Sequence, residues 1–172
     1  MSNSNDWPES PFWDFSLELY GREGVPDICI DLQDRLGIDV NILLYCCWAA
    51  ACGAPMLTES EVRALDAVVR DWREEVVKPL RAARRAMKAM NATDAAGHRE
   101  RIRTQVKRSE LEAERLQQLM LAAAMPFPVK ESGESGDVRK TALANMAAYL
   151  TFLGAPPDGA EIEKLSEISA CL

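Results

Sequence analysis

Between Asp39 and the stop Gly53-Ala54-Pro55 the chain reads VNILLYCCWAAAC, thirteen residues without a single charge. A helix needs about 20 apolar residues to cross a bilayer, so a run of this length belongs inside a helical domain. It predicts a buried central helix over about 39–52, and the amphipathic remainder must pack around it. With 48% hydrophobic residues among 172, the chain can bury a full core without staples, and one helical domain, 1–172, is expected. Cys46, Cys47 and Cys52 all lie in the apolar run. That placement, an odd total of five cysteines and no signal-like start argue against a secreted disulfide framework. Met1 to Asp6 is polar, with neither basic nor apolar targeting region, so a frayed start over 1–9 and a cytoplasmic location are expected.

The rest of the chain reads as helices, with no strand pattern and no repeat. Ser10-Pro11 is a cap followed by a proline suited to the first helical turn, and Phe12, Phe15 and Leu19 follow at helical spacing until Gly21. Gly24-Val25-Pro26 restarts the chain; Ile28, Leu32 and Leu36 form the apolar side of a second helix that Gly37 closes. Asp39 caps the central helix. Thr58 and Glu61 form a capping box that opens a long helix. From it Leu65, Val69, Trp72, Val76, Leu80, Ala83, Met87 and Met90 recur close to the heptad period, with a kink expected near Val76 because Pro79 intervenes. A second seam runs through Ile102, Val106, Ser109, Ala113, Leu116 and Met120. Joined by a short polar turn at about 91–97, the two seams predict an antiparallel helical hairpin over about 59–125, with arms of some 45 Å at about 1.5 Å per residue. Pro126 and Pro128 end it, and 128–136 reads as a flexible loop. Asp137 caps a further helix with Leu143, Met146, Ala147 and Leu150 inward, and Ile162, Leu165 and Ile168 mark a short last one. The fold class is therefore all-α.

Charge is unevenly spread over these elements. Residues 1–77 carry 5 basic and 15 acidic side chains, residues 78–108 carry 10 and 2, and residues 109–172 carry 5 and 10, so the balances are −10, +8 and −5. The basic block flanks the predicted turn on both arms, which concentrates positive charge at the far end of the hairpin. Arg81, Arg84, Arg85 and Lys88 share one helix face there, and Arg99, Arg103 and Lys107 form a stripe on the next arm. Such stripes either pair with acidic helices of the same fold or meet an anionic partner: an acidic protein first, a nucleic acid or an anionic membrane surface less so. No aromatic residue lies between Trp72 and Phe127, so base stacking is not offered. A homo-oligomer also stays open, with Trp7 and Trp13 as one candidate contact.

Catalytic sets are hard to assemble. The lone His98 precludes a histidine metal cluster, Cys46-Cys47 lacks the spacing of a zinc or redox motif, and no phosphate loop, nucleophile elbow or H-E-x-x-H is present. Asp27, Asp31 and Asp34 do share one face of the second helix, where they either form a solvated surface or hold Mg2+ and, through it, a diphosphate. Asp27-Ile28-Cys29-Ile30-Asp31 resembles the D-x-x-x-D helix of the all-helical prenyl-transferring enzymes. That resemblance implies a small Mg2+-dependent enzyme or carrier of a prenyl diphosphate, although Asp66 and Asp71 fit the second acidic motif of those enzymes poorly.

The stretch PFWDFSLELYGREGVPDICIDLQDRLGIDVNILLYCCWAA, from Pro11 to Ala50, together with WREEVVKPLRAARR, from Trp72 to Arg85, resembles a family of proteobacterial proteins known only as a domain of unknown function. The wording F-W-x-F-S, Y-G-R-x-G-V and L-Q-D-R-x-G-x-D-V-N carries the likeness. It implies a bacterial, cytoplasmic, helical protein of about this size and assigns no residue a role. The expectation is a non-enzymatic adaptor or regulator that binds an acidic protein or other polyanion through the basic hairpin end.

Overall fold

The computed structural model describes residues 7–90, 96–125 and 137–172, and among them the fold is all-α. In chain order the helices are α1 (Pro11–Tyr20), α2 (Val25–Leu36), α3 (Val40–Ala51), α4 (Glu59–Trp72), a π-helical turn (Arg73–Val77), α5 (Lys78–Ala89), α6 (Ala96–Ala124), α7 (Val138–Phe152) and α8 (Gly159–Ala170). They form two compact units, Met1–Met56 with Pro128–Leu172, and Leu57–Phe127. The expected loop at 128–136, most of the expected turn at 91–97 and the first six residues lie outside the described residues.

The first unit is built on α3, the predicted central helix. Asp39 caps it by accepting from the Asn41 backbone N–H at 2.9 Å, and of its side chains only Val40, Trp48 and Ala51 are not buried. Its principal partner is α7, with α1 and α2 also against it. Phe12 of α1 stacks on Trp48 at 5.0 Å between centroids and meets Tyr45 edge-on at 5.3 Å, an arrangement that suits the ring quadrupoles. Two buried polar side chains of α7 fix how it meets α3. Tyr149 Oη accepts from the Asp39 N–H at 2.9 Å, and Asn145 Nδ2 donates to the Cys46 carbonyl at 3.1 Å. The inward row of α7 is thus Ala142, Asn145, Met146, Tyr149 and Leu150, whereas the sequence suggested Leu143 and Ala147, both of which are only half-buried.

Helix α2 departs from expectation in the same way. Its buried row is Val25, Cys29 and Leu32, while Ile28 is half-buried and Ile30 exposed. Positions 25, 29, 32 and 36 lie within about 60° of arc at 100° per residue, and Ile28 falls at the edge of that row, so it is only half-buried. Gly37, at φ +68°, closes the helix in a conformation that costs glycine nothing. The last helix, α8, is longer than expected, because Asp158 accepts from both the Ala160 and Glu161 N–H groups and so starts it at Gly159.

Candidate functional site

The second unit is the predicted hairpin. Its first arm opens at the Thr58/Glu61 capping box, where Glu61 takes the Thr58 N–H at 2.7 Å and Thr58 Oγ1 takes the Glu61 N–H at 3.3 Å. The arm runs through α4, the π turn and α5 and packs against α6 along all three parts. Trp72 Nε1 donates to the Ala113 carbonyl at 2.9 Å, and Arg99 Nη1 donates to the Met90 carbonyl at 2.7 Å. As residue numbers rise on one arm they fall on the other, so the arms are antiparallel.

Pro79 explains the π turn. A proline supplies no N–H and its ring crowds the carbonyl four residues back, here Glu75. One extra residue in the turn relieves both problems, and Lys78 N–H reaches Arg73 O, five residues back. The irregularity falls where a kink was expected, and it moves the buried row. Val62, Leu65 and Val69 are followed by Val77, eight residues on, while Val76 is only half-buried.

The second arm buries residues that the apolar seam did not mark. Glu110, Gln117, Gln118 and Leu121 are buried beside Ala113, which the seam did mark, whereas Ile102 and Ser109 are exposed. Glu110 is buried because it is paired. Arg81 Nε donates to it at 3.2 Å, Arg84 binds it through both Nε and Nη2, and Arg81 Nη2 donates to Glu114 at 2.6 Å. Helical side chains lean toward their own N-terminus, which is opposite on two antiparallel arms, so an arginine of α5 and a glutamate of α6 converge. Burial opposes ionisation of Glu110, but the Arg84 and Arg81 guanidiniums prevail and hold its carboxyl below the usual range. A second clamp lies toward the base of the hairpin. The buried Asp66 accepts from Arg70 at 2.6 Å and from Arg73, the first residue of the π turn, at 2.8 Å. Burial again opposes its ionisation and the two guanidiniums overcome it.

The seven predicted contact residues therefore separate into two groups. Arg81 and Arg84 join the arms, Arg103 is held by Glu100 at 2.6 Å, and Arg99 ties the start of α6 to the end of α5. Arg85, Lys88 and Lys107 are solvent-exposed, as is Arg101, which the stripe did not include. From Lys78 to Ser109 no described side chain is buried. The far half of the hairpin is thus two helices solvated on both arms, carrying between Arg85 and Arg108 seven basic and two acidic residues. Sequence reasoning missed Glu110 and Glu114. Their one available signal was a four-residue spacing that places both carboxylates on one face of α6, toward an arginine-rich arm.

The acidic face of α2 is arranged differently from a metal site. Asp31 accepts from Lys164 of α8 at 2.6 Å and from Arg35 at 3.0 Å, and Arg35 also donates to Glu161 at 2.9 Å. These hydrogen bonds, Arg35 first, lower the Asp31 carboxyl to about 2. Asp27 and Asp34 remain exposed, and among the described residues no group of three or more carboxylate, histidine or cysteine side chains is placed to hold a metal ion. The cysteines are free thiols: Cys29, Cys46 and Cys47 are buried, and burial pushes Cys29 and Cys46 up to about 12.

These features define an all-α protein whose second unit is an ion-paired helical hairpin with a solvated basic end. Residues 11–121 match the family of proteins of unknown function designated DUF2390, and the chain belongs to it. The match runs from α1 into the last turns of α6, so it takes in both arms of the hairpin and extends past the Arg85 limit of the sequence likeness. No curated protein and no solved structure matches the chain. No helix among the described residues is long and apolar enough to cross a membrane.

Proposed function

We propose that the protein is a non-enzymatic cytoplasmic adaptor or regulator whose hairpin end docks an acidic protein surface. One observation carries this reading: the end of the hairpin is strongly basic, yet none of its described side chains is buried. Two solvated helices without buried side chains contribute little to stability on their own. Here the Arg81/Arg84–Glu110/Glu114 cluster joins the arms and holds Arg85, Lys88, Arg101 and Lys107 outward. Exposed cations of this kind steer an anionic partner and set its register more than they add affinity. With no aromatic residue in the basic segment, an acidic protein is favoured over single-stranded nucleic acid.

The test is affinity purification with the wild-type chain and an Arg85→Glu/Lys88→Glu/Lys107→Glu variant, whose thermal unfolding should stay within about 0.5 kcal/mol of wild type because the substitutions are on the surface. The expected outcome is an acidic protein retained by wild type and lost by the variant. Identical eluates overturn the proposal, and a retained RNA or lipid in place of protein reassigns the partner. Arg81 and Arg84 are unsuitable for charge reversal, since glutamates there would face Glu110 and open the hairpin.

A further inference from the structure

The hairpin has a charged side and an uncharged one. Val77 and Arg84 of the first arm and Glu110 and Gln117 of the second turn toward the contact, where Arg84 holds Glu110 and the other two are buried. Val76, Ala83, Ser109 and Leu116 each precede one of these four by one residue, Met90 follows Arg84 by six, and Ile102 precedes Glu110 by eight. Each of these steps turns a side chain about 80–120° around its helix in the same sense. Because the arms are antiparallel, the same sense of turn brings all six to one side of the pair. None of the six is charged; Val76 and Leu116 are half-buried, Ala83 and Ser109 exposed, and Met90 and Ile102 keep 58% and 49% of their surface. The opposite sense of turn leads to the Arg81–Glu114 bond at 2.6 Å and to Arg85, Lys88 and Lys107. The hairpin also differs end to end. Segments 57–77 and 109–127 carry 9 acidic and 4 basic side chains, a balance of −5, against +8 over 78–108.

We infer that the uncharged side binds the same side of a second copy, with the two hairpins antiparallel in a symmetric four-helix bundle. An acidic partner finds no cation on this side to pair with, whereas a second copy presents a matching uncharged row. The antiparallel order sets the +8 end of each hairpin along the −5 end of the other, and it lays Met90 and Ile102 against the partner's half-buried Val76 and Leu116. Both copies use one patch, so the contact closes at the dimer and does not extend. Their cationic sides face away from each other behind two helix layers, about 20 Å apart, which is beyond the Debye length of about 8 Å at physiological salt. The inference goes beyond the adaptor reading and leaves Arg85, Lys88 and Lys107 open to the partner proposed there.

Sedimentation velocity on the full chain tests this. Across the micromolar range the weight-average mass should rise from one chain to two and stop there. Met90→Asp/Ile102→Asp should remain a monomer while keeping the wild-type helical circular dichroism, and the milder Met90→Ser/Ile102→Ser should weaken the dimer at least tenfold. Arg85→Glu/Lys88→Glu/Lys107→Glu should still dimerise. Raising salt from about 0.1 M to 1 M shortens the Debye length from about 10 Å to 3 Å and should weaken the dimer, because unlike ends are paired; a dimer that tightens would overturn the antiparallel order. A wild-type monomer at every concentration, growth beyond two copies, or a dimer untouched by both substitutions at Met90 and Ile102 overturns the inference. The adaptor reading fails separately, when wild type and the Arg85/Lys88/Lys107 variant capture the same components.

Discussion

At the scale of single residues, the polar side chains inside the first unit decide more than their number suggests. Tyr149 Oη takes the Asp39 backbone N–H just where α3 begins, so the cap of the most buried helix depends on a side chain 110 residues away. Tyr149→Phe keeps the ring and leaves that N–H without its partner, and a loss of about 1–3 kcal/mol is expected in denaturant unfolding. Asn145 has the same standing, since it supplies the Cys46 carbonyl with a second donor in the middle of an apolar helix. The buried thiols pack within the core, where Cys47 Sγ donates to Met146 Sδ at 3.5 Å. Burial keeps Cys29, Cys46 and Cys47 protonated, so alkylation of the native protein near pH 8 should reach Cys52 and Cys171, both half-exposed, and modify the other three only after unfolding. Mass spectrometry after a short iodoacetamide pulse reads this directly; early modification of Cys46 would contradict it.

Among the elements, the hairpin shows what a buried carboxylate does to a helix pair. Glu110 is shared by two arginines of the other arm, and removing it takes the carboxylate from Arg84 and one of the two from Arg81. Breaking a buried pair by deleting one partner costs on the order of 3 kcal/mol, so Glu110→Ala should lower the unfolding free energy by about that much. Glu114→Ala, at a half-buried site beside Arg81, should cost about 1 kcal/mol or less. A Glu110→Ala/Arg84→Ala cycle isolates the pair from the general loss of contacts, and a coupling near zero would show that the arms are held by apolar packing instead. The π turn belongs to the same scale. It absorbs Pro79 and brings Val77 rather than Val76 inward.

For the whole molecule, stability should depend on acid in one direction. Asp31, Asp66 and Glu110 are all held below their ordinary pKa in the folded state. Their stabilisation is then complete above the unfolded values, about 4, and fades as pH falls toward the folded ones, which for Asp31 is about 2. Thermal unfolding should therefore be flat from about pH 7 to 5 and drop between about pH 4.5 and 2; a drop already at pH 6 would count against these pairs as the cause. The elements were legible in the chain because caps and breakers act locally: Ser10, Asp39, Thr58 and Asp137 each start a helix through their own side chains, while the Asp158 cap of α8 went unread. The buried α3 was legible because thirteen uncharged residues have nowhere else to go. Which polar residues turn inward was not legible. Glu110, Asp66 and Asn145 are surface residues by type, and only a partner brought close by the fold, Arg84, Arg73 or the Cys46 carbonyl, makes their burial favourable. The same holds for the basic stripe. Sequence by itself determined that the positive charge gathers around the hairpin turn, whereas tertiary structure alone decided that Arg81 and Arg84 join the arms and Lys88 and Lys107 face water. Helix periodicity sets a side chain's direction around its own axis, but the charge it meets there belongs to another element.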